Sequence, residues 1–122
     1  MPEKTFYFQP VRRQHWRAAK VYLLDCEAQL PTGVTINSIT GTDSYGVTKG
    51  AFAQSGIAAS GLAILAADYT SKEDERTIHA NKALNVTISS VSSSRGMTYE
   101  IEIRFGCSDG STGVGTLRVF VE

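Results

Sequence analysis

Between Met97 and Glu122 the chain reads "MTYEIEIRFGCSDGSTGVGTLRVFVE", and its first half alternates without a break. Tyr99, Ile101, Ile103 and Phe105 share one parity; Thr98, Glu100, Glu102 and Arg104 share the other. Successive side chains of an extended chain point to opposite faces, so the pattern specifies a strand with one buried and one wet face. A helix would scatter the same four apolar residues around its axis. After "GCSDGSTG", Leu117, Val119 and Val121 alternate with Thr116, Arg118 and Phe120, which predicts a second strand antiparallel to the first. A ribbon that is apolar on one side has to be covered by another layer, so the rest of the chain must supply one.

The rest supplies strands. Leu84, Val86 and Ile88 alternate with Asn85, Thr87 and Ser89, and Val34 and Ile36 with Thr35 and Asn37 follow "PTG". The segment Leu62 to Tyr69 predicts a further strand with small residues on both faces. Between the Leu84 strand and the Tyr99 strand, "SSVSSSRG" is a polar loop. Tyr99 falls three residues after Gly96, where Ig-like sandwiches place a tyrosine corner whose hydroxyl bonds back to the loop backbone. Two segments are ambiguous. Trp16, Ala19, Leu23, Cys26 and Leu30 fit a helical period, while Trp16, Ala18, Lys20, Tyr22 and Leu24 fit a strand equally well. "SKEDERTIHANKA" has too little apolar content for a packed helix and predicts a loop with at most one or two helical turns.

Turn residues punctuating short β-branched runs about every ten positions give seven or so strands. The expected fold is all-β, an Ig-like antiparallel β-sandwich: residues 1–13 form an extended N-terminal arm and residues 14–122 a single domain. A chain of 122 residues can bury roughly two thirds of its unfolded surface, enough to fold without disulfides or metal.

Twelve basic and twelve acidic side chains cancel, and no face-length run of Lys or Arg occurs, which argues against nucleic acid as a partner. The longest apolar stretch, Gly61 to Ala67, falls far short of the ~20 residues of a membrane span, and "MPEKTFYFQP" lacks the apolar core of a secretory signal. The expectation is a protein made in the cytoplasm, with no membrane partner. There Asn85-Val86-Thr87, a glycosylation sequon, stays unmodified, and Cys26 and Cys107, far apart in the chain, are expected as unpaired, partly buried thiols, the alternative being a disulfide that closes the long loop between them.

None of the chemical candidates carries a catalytic pattern. Glu100 and Glu102 sit on the same face of one strand about 7 Å apart, whereas a glycosidase needs carboxylates on opposite sides of a sugar. "DGSTGVG" lacks the Lys-Ser/Thr and the following helix of a phosphate loop, and reads as a hairpin connection. His15 and His79 have no second ligand at strand spacing, and no G-x-S-x-G elbow occurs. No cofactor or metal is expected, and the chain reads as a non-enzyme.

The N-terminal "TFYFQPVRRQ" is the remaining candidate. Phe6 and Phe8 share a face, Tyr7 takes the other, and Arg12 and Arg13 follow Pro10. Three aromatics in a row at a terminus are either an edge strand tucked on the core or an arm docking on a neighbouring subunit. Phe6, Tyr7, Phe8, Arg12 and Arg13 are the candidate interface.

The order "KTFYFQP", "VYLLDCEAQLPTGVTINSIT", "ALNVTISSVSSSRGMTYEIEIRFGCSDGSTGVGTLRVFV" resembles the small Ig-like virion proteins of tailed bacteriophages of the fibre-tail adaptor type. It covers about two thirds of the chain: Asp25, Leu30, the Gly33 to Ser38 strand, and the strand, corner, strand and closing hairpin of Leu84 to Val121. The resemblance implies a non-catalytic structural subunit located in the virion. It would contact copies of itself and other virion proteins of the connector, tail, fibre or capsid. The rival expectations are a capsid decoration or cement protein, and a carbohydrate-binding Ig-like adhesion module presenting Tyr45, Phe52 or Phe120.

Overall fold

A computed structural model describes residues 3–43, 52–54, 57–72 and 75–122. In chain order the strands are β1 (Glu3–Gln14), β2 (Ala19–Asp25), β3 (Ile36–Asp43), β4 (Phe52–Gln54), β5 (Ile57–Ile64), β6 (Tyr69–Thr70), β7 (Thr77–Ile78), β8 (Ala83–Ser90), β9 (Thr98–Cys107) and β10 (Thr112–Val121). Short 3-10 turns at Glu27–Gln29 and Ser92–Ser94 are the helical pieces among the described residues.

Two four-stranded sheets, β1-β10-β9-β3 and β2-β8-β5-β4, form the sandwich, and β6 and β7 make a separate two-stranded ribbon. The order β10-β9-β3 facing β2-β8-β5 corresponds to strands G-F-C facing B-E-D of an Ig-like sandwich. Within the sheets the pairings are antiparallel except one: β1 runs parallel to β10, with Thr5 opposite Val114, Phe8 opposite Leu117 and Gln14 opposite Val121.

The alternation that specified β9 and β10 describes the core. Ile101, Ile103, Phe105, Leu117, Val119 and Val121 meet Leu24, Leu84, Val86 and Ile88 of the other sheet, all fully buried. The ambiguous segment 16–30 divides at Asp25. The strand period wins over 19–25 because β2 finds a partner in β8, Tyr22 opposite Val86 and Leu24 opposite Leu84. The strand expected from Leu62 to Tyr69 begins at Ile57 and ends at Ile64, since Ile57 and Ala59 supply the inward side chains that pair it with β8. "SKEDERTIHANKA" carries no helix among its described residues; Thr77–Ile78 pairs with Tyr69–Thr70. Tyr99 is buried at the start of β9 as expected, but its hydroxyl meets Met97 Sδ at 3.6 Å. The corner is tied instead by main chain, Gly96 N–H to Val121 O (2.7 Å) and Val121 N–H to Met97 O (3.0 Å).

The segment expected as an arm lies, from Glu3 onward, within β1. It is the edge strand of its sheet, and its register slips between Phe8 and Arg12 around Pro10, a residue that cannot donate to a ladder and is tolerated at edges and bulges. Phe6 and Phe8 point inward, 2% and 6% exposed, and the Phe6 ring meets Phe105 at 4.9 Å between centroids. Past the bulge the inward parity resumes with Gln14, which is buried where β1 crosses β2. Tyr22 Oη donates to Gln14 Oε1 (2.8 Å), and Gln14 Nε2 donates to Ser90 Oγ (2.9 Å) and Ile88 O (3.2 Å). A satisfied polar network at this depth fixes the spacing of the two sheets where β1 and β2 meet.

Candidate functional site

Among the described residues, the groups singled out from the sequence for acid-base or nucleophilic work make structural contacts. Glu100 pairs with Arg118 (3.3 Å) and Glu102 with Arg104 (2.6 Å) on the wet face of the first sheet. Cys26 and Cys107 are free and buried. Burial, then the Asp25 charge, then Cys107 push the Cys26 thiol up to about 12, so it stays protonated at neutral pH and its S–H points at Leu24 O (3.7 Å). His79 lies on the surface with Nδ1 at 2.8 and 3.0 Å from the two Glu27 carboxylate oxygens. That contact raises the histidine pKa and lowers that of the glutamate. His15 accepts from the Arg17 N–H (3.1 Å) and stacks on Trp16. No group of three or more His, Cys, Asp or Glu that could hold a metal ion occurs among the described residues.

The N-terminal candidates separate. Phe6 and Phe8 are not an interface in this structure, because both fill the chain's own core. Tyr7 is placed in β1 opposite Thr116 by its backbone, and its side chain lies outside the described residues. Arg12 and Arg13 remain, and both line a cleft on the described surface.

The cleft is half-open, with a volume of about 570 Å³ where β1 and β2 meet, lined by Arg12, Arg13, Lys20, Val21, Tyr22, Leu23, Tyr69, Ser71 and Lys72. It arises from local folding rules. After the bulge in β1, Arg12 stands opposite Val119, one inward position before Gln14 opposite Val121. Inward Tyr22 alternates with outward Val21 and Leu23 along β2. Tyr69 and Lys72 come from the β6 end of the loop that follows β5.

Four cations line the cleft, and no carboxylate lines it among the described residues. Lys20 Nζ stands 5.5 Å from the Tyr22 ring centroid. Arg12 and Tyr22 both line the cleft; burial raises the pKa of Tyr22, and the Arg12 charge works against that rise. Arg13 is partly engaged, 5.2 Å over the Phe120 ring and 3.8 Å from Glu122. Arg12 Nε is buried with no hydrogen-bond partner, a state that costs about 1–3 kcal/mol.

The cleft runs into an apolar limb of about 290 Å³ lined by Val21, Leu23, Leu65, Tyr69 and Asn85. Val21 and Tyr69 are half or more exposed, at 65% and 50%. Asn85 Oδ1 is buried there without a donor. Of these residues the sequence pointed only to the arginine pair, since Lys20, Tyr69 and Lys72 are brought together by strand pairing that no local motif announces. Of the aromatics considered for sugar binding, Phe120 is half-buried beneath Arg13. Tyr45 and the side chain of Phe52 lie outside the described residues.

Compared with known proteins, the chain matches no family model, no curated sequence and no solved structure.

Proposed function

We propose that this chain is a non-catalytic structural subunit of a tailed-bacteriophage virion. It acts as an adaptor or connector-associated protein through contacts with copies of itself and with other virion proteins. Its strand order supports the reading, since the sandwich is of the Ig-like kind the sequence resembles. The single observation that carries most weight is the engagement of Glu100, Glu102, His79 and both thiols in ion pairs or in the core. Fold alone does not specify a task. What the surface offers is contact area, with Val91 and Met97 exposed at 52% and 51% on either side of the Ser92–Ser94 turn.

Mass spectrometry of purified particles of the phage encoding the chain tests the proposal. The expected result is its presence in the particle at a fixed ratio to the connector subunit. A ratio tracking the major capsid protein would replace the adaptor by a cement role. A chain abundant in the lysate but missing from particles overturns the proposal. In solution the expected state is a closed homo-oligomer, as most self-associating subunits form, and Met97→Glu with Val91→Glu should reduce it to monomers with unchanged circular dichroism.

A further inference from the structure

We propose that the seam cleft is a binding site for a small organic anion, a phosphate or carboxylate head carried on an aromatic or aliphatic body. The site is independent of the virion reading and stands whether or not the chain is a phage subunit.

The charge distribution carries the first part. Three arginines elsewhere on the described surface pair with carboxylates: Arg76 with Asp25, Arg104 with Glu102, Arg118 with Glu100. At the seam Arg13 reaches Glu122 at 3.8 Å, and three further cations gather beside it. Arg12 and Lys20 both bear on Tyr22, Lys72 joins them, and no carboxylate lines the cleft among the described residues. Like charges gathered over partly desolvated walls raise the local concentration of anions, and a bound anion relieves their repulsion. In a chain of zero net charge this concentration is local.

The guanidinium of Arg12 carries the second part. Its Nε is buried without an acceptor, and such a group in a folded protein calls for a partner such as an ion. Arginine offers its remaining donors in a planar fork that suits phosphate and carboxylate oxygens. The apolar limb carries the third part. It shares Val21, Leu23 and Tyr69 with the basic cleft, so a ligand with its head on Arg12, Lys20 and Lys72 extends its body over these side chains toward Asn85. The unanswered Asn85 Oδ1 would accept from a hydroxyl or amine at the far end of that body. Both limbs are of the size of small-molecule sites, which run to several hundred Å³ with few polar anchors.

The test is an amide NMR titration of the full chain with four probes: phenyl phosphate, benzoate, inorganic phosphate and phenol. Phenyl phosphate or benzoate should give saturable shifts at Val21, Leu23, Lys72 and Asn85, with the stronger of the two identifying the head group. Its affinity should exceed that of inorganic phosphate and of phenol by at least about tenfold, and fall with added salt. Arg12→Gln should weaken it by about tenfold or more. Should that variant lose its fold, the exposed pair Lys20→Gln with Lys72→Gln decides, with the same expected weakening at unchanged melting temperature. Affinity weaker than about 10 mM for both aryl anions, equal affinity for phenol and phenyl phosphate, shifts centred elsewhere, or indifference to loss of both lysines would each overturn the site.

Discussion

Gly113 and Gly115 in the last strand decide how the largest core side chains can lie. A Cβ at Gly113 would overlap the ring of Phe105, and one at Gly115 the ring of Phe8. Each aromatic ring therefore occupies space beside the β10 backbone that only the absence of a side chain provides. Alanine at either site forces the ring off its position, an overpacking cost of about 1–3 kcal/mol, against which the stiffer unfolded chain returns only about 0.4–1 kcal/mol. The two sites differ in how far the ring can yield. Phe105 has no exposure and is wedged against Phe6, whereas Phe8 sits on the edge strand. Urea unfolding should accordingly show Gly113→Ala more destabilised than Gly115→Ala, and Phe8→Leu should lessen the cost of Gly115→Ala in the double variant. A neutral or stabilised Gly113→Ala would show that the rings are not held by this contact. "DGSTGVG" read as a turn because glycine is the usual turn signal. The turn occupies only its first part, and the reason for the last two glycines lies in rings that belong to other strands.

At the scale of elements, the β6–β7 ribbon is too short to stand alone, with two residues in each strand. It is held to the end of β2 and the following 3-10 turn by Arg76 with Asp25 and His79 with Glu27, while the Ala80 N–H on Asp68 Oδ1 (2.8 Å) ties its own two flanks together. The His79–Glu27 contact gives stability a predictable pH dependence. The histidine pKa is raised from 6.5, so its contribution is complete below 6.5 and is lost as pH rises through the higher folded value. The glutamate pKa is lowered from 4.5, so its contribution is complete above 4.5 and is lost as pH falls through the lower folded value. The pair therefore stabilises most between 4.5 and 6.5. The melting-temperature difference between the parent chain and His79→Gln should peak in that window and shrink on both sides. A difference that is flat with pH, or largest above pH 8, would remove the ion pair from the account. None of this was legible in "SKEDERTIHANKA", whose low apolar content pointed to a loop. The partners of its charges lie fifty-one and fifty-two positions away. By contrast β8, β9 and β10 were legible because period-2 alternation is written locally. Residues 16–30 were not, because their helix and strand periods coincide until pairing with β8 chooses between them.

For the whole molecule the sharpest question is whether the first ten residues are an arm or a wall. Aromatic patterning at a terminus fits both, and only the partner decides: here β10 takes β1 in parallel register, and Phe6 and Phe8 close one end of the core. Loss of a buried phenylalanine costs about 3–5 kcal/mol, so losing two approaches the roughly 5–15 kcal/mol by which a domain of this kind is stable. Deleting residues 1–10 also unpairs one edge of β10 from Thr112 to Leu117 and bares an unprotected strand to association with other chains. The truncated chain should thus lose cooperative unfolding and aggregate, instead of giving folded monomers. Circular dichroism with light scattering separates the two outcomes. A truncated chain with the parent's melting temperature would restore the arm and return Phe6, Tyr7 and Phe8 to the candidate interface. Collapse of the fold would mean that assembly has to be probed by surface substitutions, because no terminal deletion can remove the contact without removing the sheet.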